Sequence, residues 1–271
     1  MPSLSRPAAL DLLTRRRTWQ TGHARATLWP SMSTDDPRAA LRGALYRADG
    51  RAVVAALSTE DWHAALQLGG DGLLVALGQG VDGAPLLANG CVAALRERAW
   101  EGDDDLAEQL EAALGQRPAP LLRPLPVDLE ELADVLEGDP AHGGGRIDLR
   151  TGEVWPQSMF DDADETDDED DEDDEEDSDR WLAVWCEGSR EGYRDMEDFV
   201  ATVADDERTD RLLIALSGRG AFRRFKDVLA RWPEELQRWF AFSDERQRGR
   251  ARSWLVAAGY SPSTARRSEL A

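Results

Sequence analysis

From Pro37 to Leu114 the apolar residues fall at helical spacing, which predicts an all-helical module over residues 32–115. Ser58-Thr-Glu-Asp61 has the form of a capping box ahead of Trp62 and Leu66. Gly69, Gly70 and Gly72 read as an interruption, after which Leu86, Leu87, Cys91 and Leu95 continue on another helix. "GDDDLAEQLEAALG" closes the module, with acids at its start, Leu106, Leu110 and Leu114 at intervals of four, and Gly115 as its stop. Pro118, Pro120, Pro124 and Pro126 then punctuate residues 116–126, predicting an extended connector without regular structure, and a domain boundary.

The second module, residues 127–260, mixes two periods. "VDLEELADVLEG" places Leu129, Leu132, Val135 and Leu136 on one helical face. "RIDLRTGEVW" reads as two short strands around the turn Arg150-Thr151-Gly152, and "RWLAVWCEG" as a buried third strand. "GYRDMEDFVATV" and "RTDRLLIAL" return to helix. The predicted class is therefore α+β: mainly α with a small antiparallel β-sheet, an all-helical N-terminal module and an α+β C-terminal one. Residues 261–271 read as a disordered tail.

One stretch of this module is both aromatic and basic. A helix from Phe222 to Trp232 gathers Phe222, Phe225, Val228, Leu229 and Trp232 within an arc of about 120°. Arg223, Arg224, Lys226 and Arg231 occupy the opposite arc, with Asp227 their only acid. Two readings stand. The basic arc is a solvated back with Arg223 and Asp227 paired at i,i+4, or it is an anion site where Gly218 and Gly220 admit a ligand to a helix N-terminus beside Arg219 and Arg223. Downstream, Arg246, Arg248, Arg250 and Arg252 split across a stripe of Ala251, Trp254, Leu255 and Ala258. That pattern fits methylene stems covering apolar edges better than one groove-reading face.

Charge alters this picture locally. The formal charge is -22, but residues 161–179 hold 16 acids, leaving 38 acids against 32 bases elsewhere. The tract has too little apolar surface to offset chain entropy, and its charges repel, so it is predicted to be a disordered insertion between the second and third strands. Residues 211–271 reverse the sign, with 13 bases and 6 acids. The tract thus either folds back to screen this region or serves as a solubilising loop. Of the 32 bases 31 are arginine, a bias that points to a GC-rich bacterial genome. Residues 1–31 carry five arginines against Asp11, and read either as a disordered basic arm or as an extension upstream of Met32, which opens a natural helix start.

Candidate chemistry is sparse. Cys91 and Cys186 have neither CxxC spacing nor a nearby histidine, which argues against a disulfide framework or zinc site and predicts no metal and no cofactor. The acidic tract lacks the glycine and alternating ligands of an EF-hand. No run approaches the ~18 apolar residues of a spanning helix, and the N-terminus lacks a secretory core, so a cytoplasmic protein without membrane contact is expected. Only His23, His63 and His142 are available, and no GxSxG, Walker or dinucleotide motif occurs. Carboxylate-only catalysis stays open.

The hairpin "IDLRTGEV", the helix "GYRDMEDFV", and above all "GRGAFRRFKDVL" followed by Trp239, Phe242 and "WLVAAGY", resemble an uncharacterised bacterial protein family over roughly residues 127–260. The resemblance implies neither an assigned activity nor catalytic residues. The resulting expectation is a non-enzymatic interaction or regulatory protein. It binds an anionic partner, protein or nucleic acid, through its basic C-terminal helices at Arg219, Arg223, Arg224, Lys226 and Arg231. A carboxylate-dependent or phosphate-handling enzyme, and a nucleic-acid-binding protein autoinhibited by its acidic tract, are the alternatives.

Overall fold

The computed structural model describes residues 37–59, 62–138, 143–161 and 178–263. The N-terminal arm or extension, the capping-box residues Glu60 and Asp61, residues 162–177 of the acidic tract and the tail from Thr264 lie outside the described residues.

The N-terminal region is helical: α1 (Pro37–Tyr46), α2 (Gly50–Thr59), a 3-10 turn (Trp62–Ala65), α3 (Leu66–Gly78), α4 (Ala84–Arg98) and α5 (Asp103–Ala113). Its core gathers Leu41, Val53, Leu57, Leu73, Cys91, Leu95, Leu106 and Leu110. Gly69, Gly70 and Gly72 lie inside α3 and interrupt nothing. A Cβ at Gly70 would meet Leu106 at 2.5 Å and one at Gly72 would meet Val53 at 2.8 Å. These glycines therefore allow α5 and α2 to approach α3 closely, and the packing offsets the roughly 1 kcal/mol that each costs a helix interior.

After the connector come β1 (Arg123–Leu125), α6 (Leu129–Leu136), β2 (Gly145–Asp148), β3 (Val154–Pro156), a one-turn helix α7 (Ser158–Asp161) and β4 (Trp181–Val184). Helices α8 (Arg190–Val200), α9 (Asp206–Leu216), α10 (Ala221–Leu229) and α11 (Pro233–Ala257) follow, then β5 (Tyr260–Pro262). The α+β class holds. The three strands read from the sequence form an antiparallel sheet in the order β3-β2-β4. Ile147 lies opposite both Val154 and Leu182, so alternation turns these three side chains to one face, where they join Leu132, Val184 and Leu255 in a second core.

A second, two-stranded sheet pairs β1 with β5 in parallel. The prolines of the connector argued for no regular element there, and Pro262 sits in the stretch read as tail. Neither proline nitrogen serves the flanking bonds of the pair, which run from Arg123 N to Gly259 O and from Ser263 N to Leu125 O. A third core of Met196, Phe199, Leu212, Phe225, Leu229 and Trp239 joins α8, α9, α10 and the start of α11. Phe199, Phe225 and Trp239 meet edge to face in it, with centroids 4.9–6.3 Å apart.

Candidate functional site

The five cations named from the sequence lie on the turn between α9 and α10, on α10 itself and just after it. Asp205 caps α9 by accepting from Arg208 N. Leu212, Ala215 and Leu216 bury one side of α9, which leaves Leu213 at 51% and Ile214 at 73% exposure. Ser217-Gly218-Arg219-Gly220 then reverses the chain, and it needs its glycines, with φ of 75° at Gly218 and 76° at Gly220. Helix α10 buries Ala221, Phe225 and Leu229. That is the aromatic arc expected from the sequence, except that Phe222 stands at its edge with 39% exposure.

The cations divide in two. Arg224 turns back over the reversal and donates to Ala215 O at 3.1 Å and Gly218 O at 3.2 Å, and also to Ser217 O and Arg219 O. It closes the C-terminal carbonyls of α9, where a positive charge also suits the helix dipole. Arg219, Arg223, Lys226 and Arg231 face solvent. Arg223 is 87% exposed and lies 3.7 Å from Asp227, a pair too exposed to fix its geometry. From Arg211 to Trp232 six bases accompany one acid. Arg219, Arg223, Lys226 and Arg231 thus stand exposed on the same α9–α10 unit as the exposed side chains of Leu213, Ile214 and Phe222.

The arginines of α11 behave differently, because acids from distant helices pair with them. Arg246 donates to Asp195 at 2.8 Å and to Asp198 at 3.1 Å, and Arg250 reaches both Asp195 and Glu137. On the other flank Arg248 meets Asp71 and Glu130, each at 2.9 Å, and Arg252 meets Asp71, Gln67 and Gln109. Burial alone would raise the Asp71 carboxyl, but the charges of Arg252 and Arg248 outweigh it and hold the group below the usual carboxylate range. Glu245 shows the opposite balance: burial raises it, and Arg98 with the N–H groups of Gln67 and Leu68 offsets this only in part. Sequence reading missed Asp71, Asp103 and Glu245 as partners. The available signal was an acid set within the apolar run "LGGDGLLVAL".

A cavity of about 340 Å³ opens where α1, α3, the start of α6, α11 and the end of β5 meet. Its carboxylates are already held: Asp71 by two arginines, Glu130 by Arg42 and Arg248, and Asp128 by the N–H of Glu130, which it caps. Carboxylates fixed by guanidinium groups serve poorly as proton acceptors near neutral pH. Among the described residues no group of three or more His, Cys, Asp or Glu is arranged to hold a metal ion, and no helix is long and apolar enough to cross a membrane.

A family model described as "Uncharacterised protein family (UPF0158)" matches residues 123–270. The chain belongs to UPF0158. A UPF0158 protein of Pseudomonas aeruginosa is 31% identical over 134 residues, which cover 49% of this chain and 84% of that protein. No solved structure matches the chain. The UPF0158 match contains the sheet, the α9–α10 surface and all of α11. Helices α1 to α5 lie outside it.

Proposed function

We propose that this UPF0158 protein is a non-enzymatic interaction protein that binds an anionic macromolecule on the α9–α10 surface. The observation that carries the reading is the contrast in arginine use. Arg246, Arg248, Arg250 and Arg252 of α11 are paired inside the fold, whereas Arg219, Arg223, Lys226 and Arg231 face solvent on a helix pair that also exposes Leu213, Ile214 and Phe222. Exposed cations together with exposed apolar side chains on one pair of helices suit a macromolecular partner better than an enclosed small-ligand site. Exposed cations also steer an anionic partner at long range. A cytoplasmic setting fits, since Cys91 and Cys186 are both free thiols.

The test measures binding of a fluorescent acidic peptide and a fluorescent single-stranded RNA to the whole protein across a salt series. The expected result is salt-dependent binding of at least one probe, lost when Arg219, Arg223 and Lys226 are changed together to Glu. Binding that survives the triple change, or no binding of either probe at low salt, overturns the reading.

A further inference from the structure

The apolar side chains of α1 to α5 do not merge with those of the UPF0158 region. Their core, and the partly buried residues packed on it, come from residues 41–114. The other two cores draw on residues 125–260. Between them runs a seam of charge. Glu245 accepts from Gln67 N at 2.7 Å and from Leu68 N at 3.4 Å, so its carboxylate sits on the N-terminus of α3. Arg248 and Arg252 converge on Asp71, one turn further along α3. Arg98 of α4 bridges Glu245 and Asp103, and Arg38 and Arg42 of α1 share Asp244. Trp100 against Phe242, 5.0 Å between centroids, adds an aromatic contact across the seam.

We infer that residues 37–114 are a docked helical partner held in cis, and that α11 presents the docking face. That face consists of Asp244, Glu245, Arg248 and Arg252, with Gly249 at its centre. It recognises a helix N-terminus followed one turn later by a buried carboxylate. Buried charge pairs contribute little net stability but strongly fix register, because any shift leaves a desolvated charge unpaired. A fused single core needs no such code. Gly249 admits the backbone of the partner so closely that a Cβ there would lie 2.2 Å from Glu101 O. Finally, the connector runs over the surface, with Leu121 fully exposed, so the seam is complete without its covalent continuity. The face lies within the UPF0158 match and its occupant lies outside it.

The experiment places a protease site in the connector at Arg117 of the whole protein. The cut chains are separated in urea and dialysed, and their helical content and re-association are measured. Each fragment is expected to regain helix alone and to recombine one to one. Asp71→Asn should weaken recombination at least about tenfold, since it leaves two guanidiniums short of a partner. Asp244→Asn, at a partly exposed position, reads the same coupling if the first variant fails to fold, and should weaken recombination at least about threefold. Ile214→Ser, on the α9–α10 surface, should leave it unchanged. A fragment that stays unfolded, folded fragments that do not bind, or binding indifferent to both charge changes would overturn the inference.

Discussion

Arg252 has no exposed surface, and its Nη2 donates to Asp71 Oδ1 at 2.5 Å across 181 positions of sequence. Asp71 also accepts from Arg248 at 2.9 Å, so one carboxylate holds two guanidiniums that α11 brings to the N-terminal helices, with Glu130 as the second acid on Arg248. Asp71→Ala should therefore destabilise the fold by about 3–5 kcal/mol, because it strands buried charge rather than removing a simple contact. Arg252→Met, which removes charge and keeps volume, should cost clearly less. Urea unfolding of both variants checks the order, and equal losses would contradict it.

The same pair predicts how stability depends on pH. The Asp71 carboxyl, held low by Arg252 and Arg248 against its burial, contributes stability that is present above its ordinary value and lost as pH falls through its folded one. Glu245, raised by burial, works in the other direction: its contribution is present below the ordinary glutamate value and lost as pH rises through the folded one. Unfolding free energy measured from pH 6 to pH 2 should fall below about pH 4. Asp71→Asn should flatten that fall, whereas Glu245→Gln should leave it and flatten the curve above it. A slope below pH 4 unchanged by Asp71→Asn would refute the assignment.

The two periods of the chain made its elements legible. Arg150-Thr151-Gly152 sits between alternating segments, so β2 and β3 could be read directly, and β4 could be read across an insertion that offers nothing to a core. Packing was less legible. Gly70 and Gly72 read as breaks because a glycine's effect on an isolated helix is local, while the Leu106 and Val53 side chains that explain them lie on other helices. The arginines of α11 split across two flanks as their spacing requires. Their acids, at 71, 130, 137 and 195, are set by tertiary folding and no local pattern announces them. On α10 the basic arc was visible, but nothing in "FRRFK" distinguishes Arg224, which folds back on carbonyls, from Arg223, which does not.

Gly249 occupies the interior of a 25-residue helix, where alanine ordinarily adds stability of roughly 0.5–1 kcal/mol. Here the sign should reverse. A Cβ would meet Glu101 O at 2.2 Å, a backbone atom in a turn fixed by Gly102 at φ 77°. Gly249→Ala should lower stability by about 1–3 kcal/mol through overpacking. Thermal unfolding of this variant decides it, and any gain in stability would show that α11 does not approach the 101–102 turn so closely.

Arg223 and Arg224 are neighbours with opposite expectations. Arg224→Ala removes the donors that close the end of α9 and should cost about 1–2 kcal/mol, since hydrogen bonds from a charged group are worth more than neutral ones. Arg223→Ala should change stability by less than about 0.5 kcal/mol, because its pairing to Asp227 is loose and exposed. In polyanion binding the order should invert per unit of stability lost. Equal thermal shifts for the two variants would contradict this division of roles.

The acidic tract supplies the remaining test, since its 16 acids share a chain with the solvent-facing cations Arg219, Arg223, Lys226 and Arg231. A tethered competitor acts at an effective concentration that reaches the millimolar range for short flexible links, so even weak attraction to Arg219, Arg223, Lys226 and Arg231 displaces a weak external ligand. Each exposed pair is worth little and is screened beyond about 8 Å at physiological salt, so only the summed charge matters. Deleting residues 162–177 should therefore raise affinity for an acidic peptide or RNA, and more at low salt than at high salt. Thermal stability should change little, because the deletion leaves β3 and β4 and their register on β2 intact. With Arg219, Arg223 and Lys226 changed to Glu, the same deletion should no longer raise affinity. Equal binding with and without the tract across the salt series would reduce it to a solubilising loop, and a gain that persists in the triple variant would move the competition to another surface.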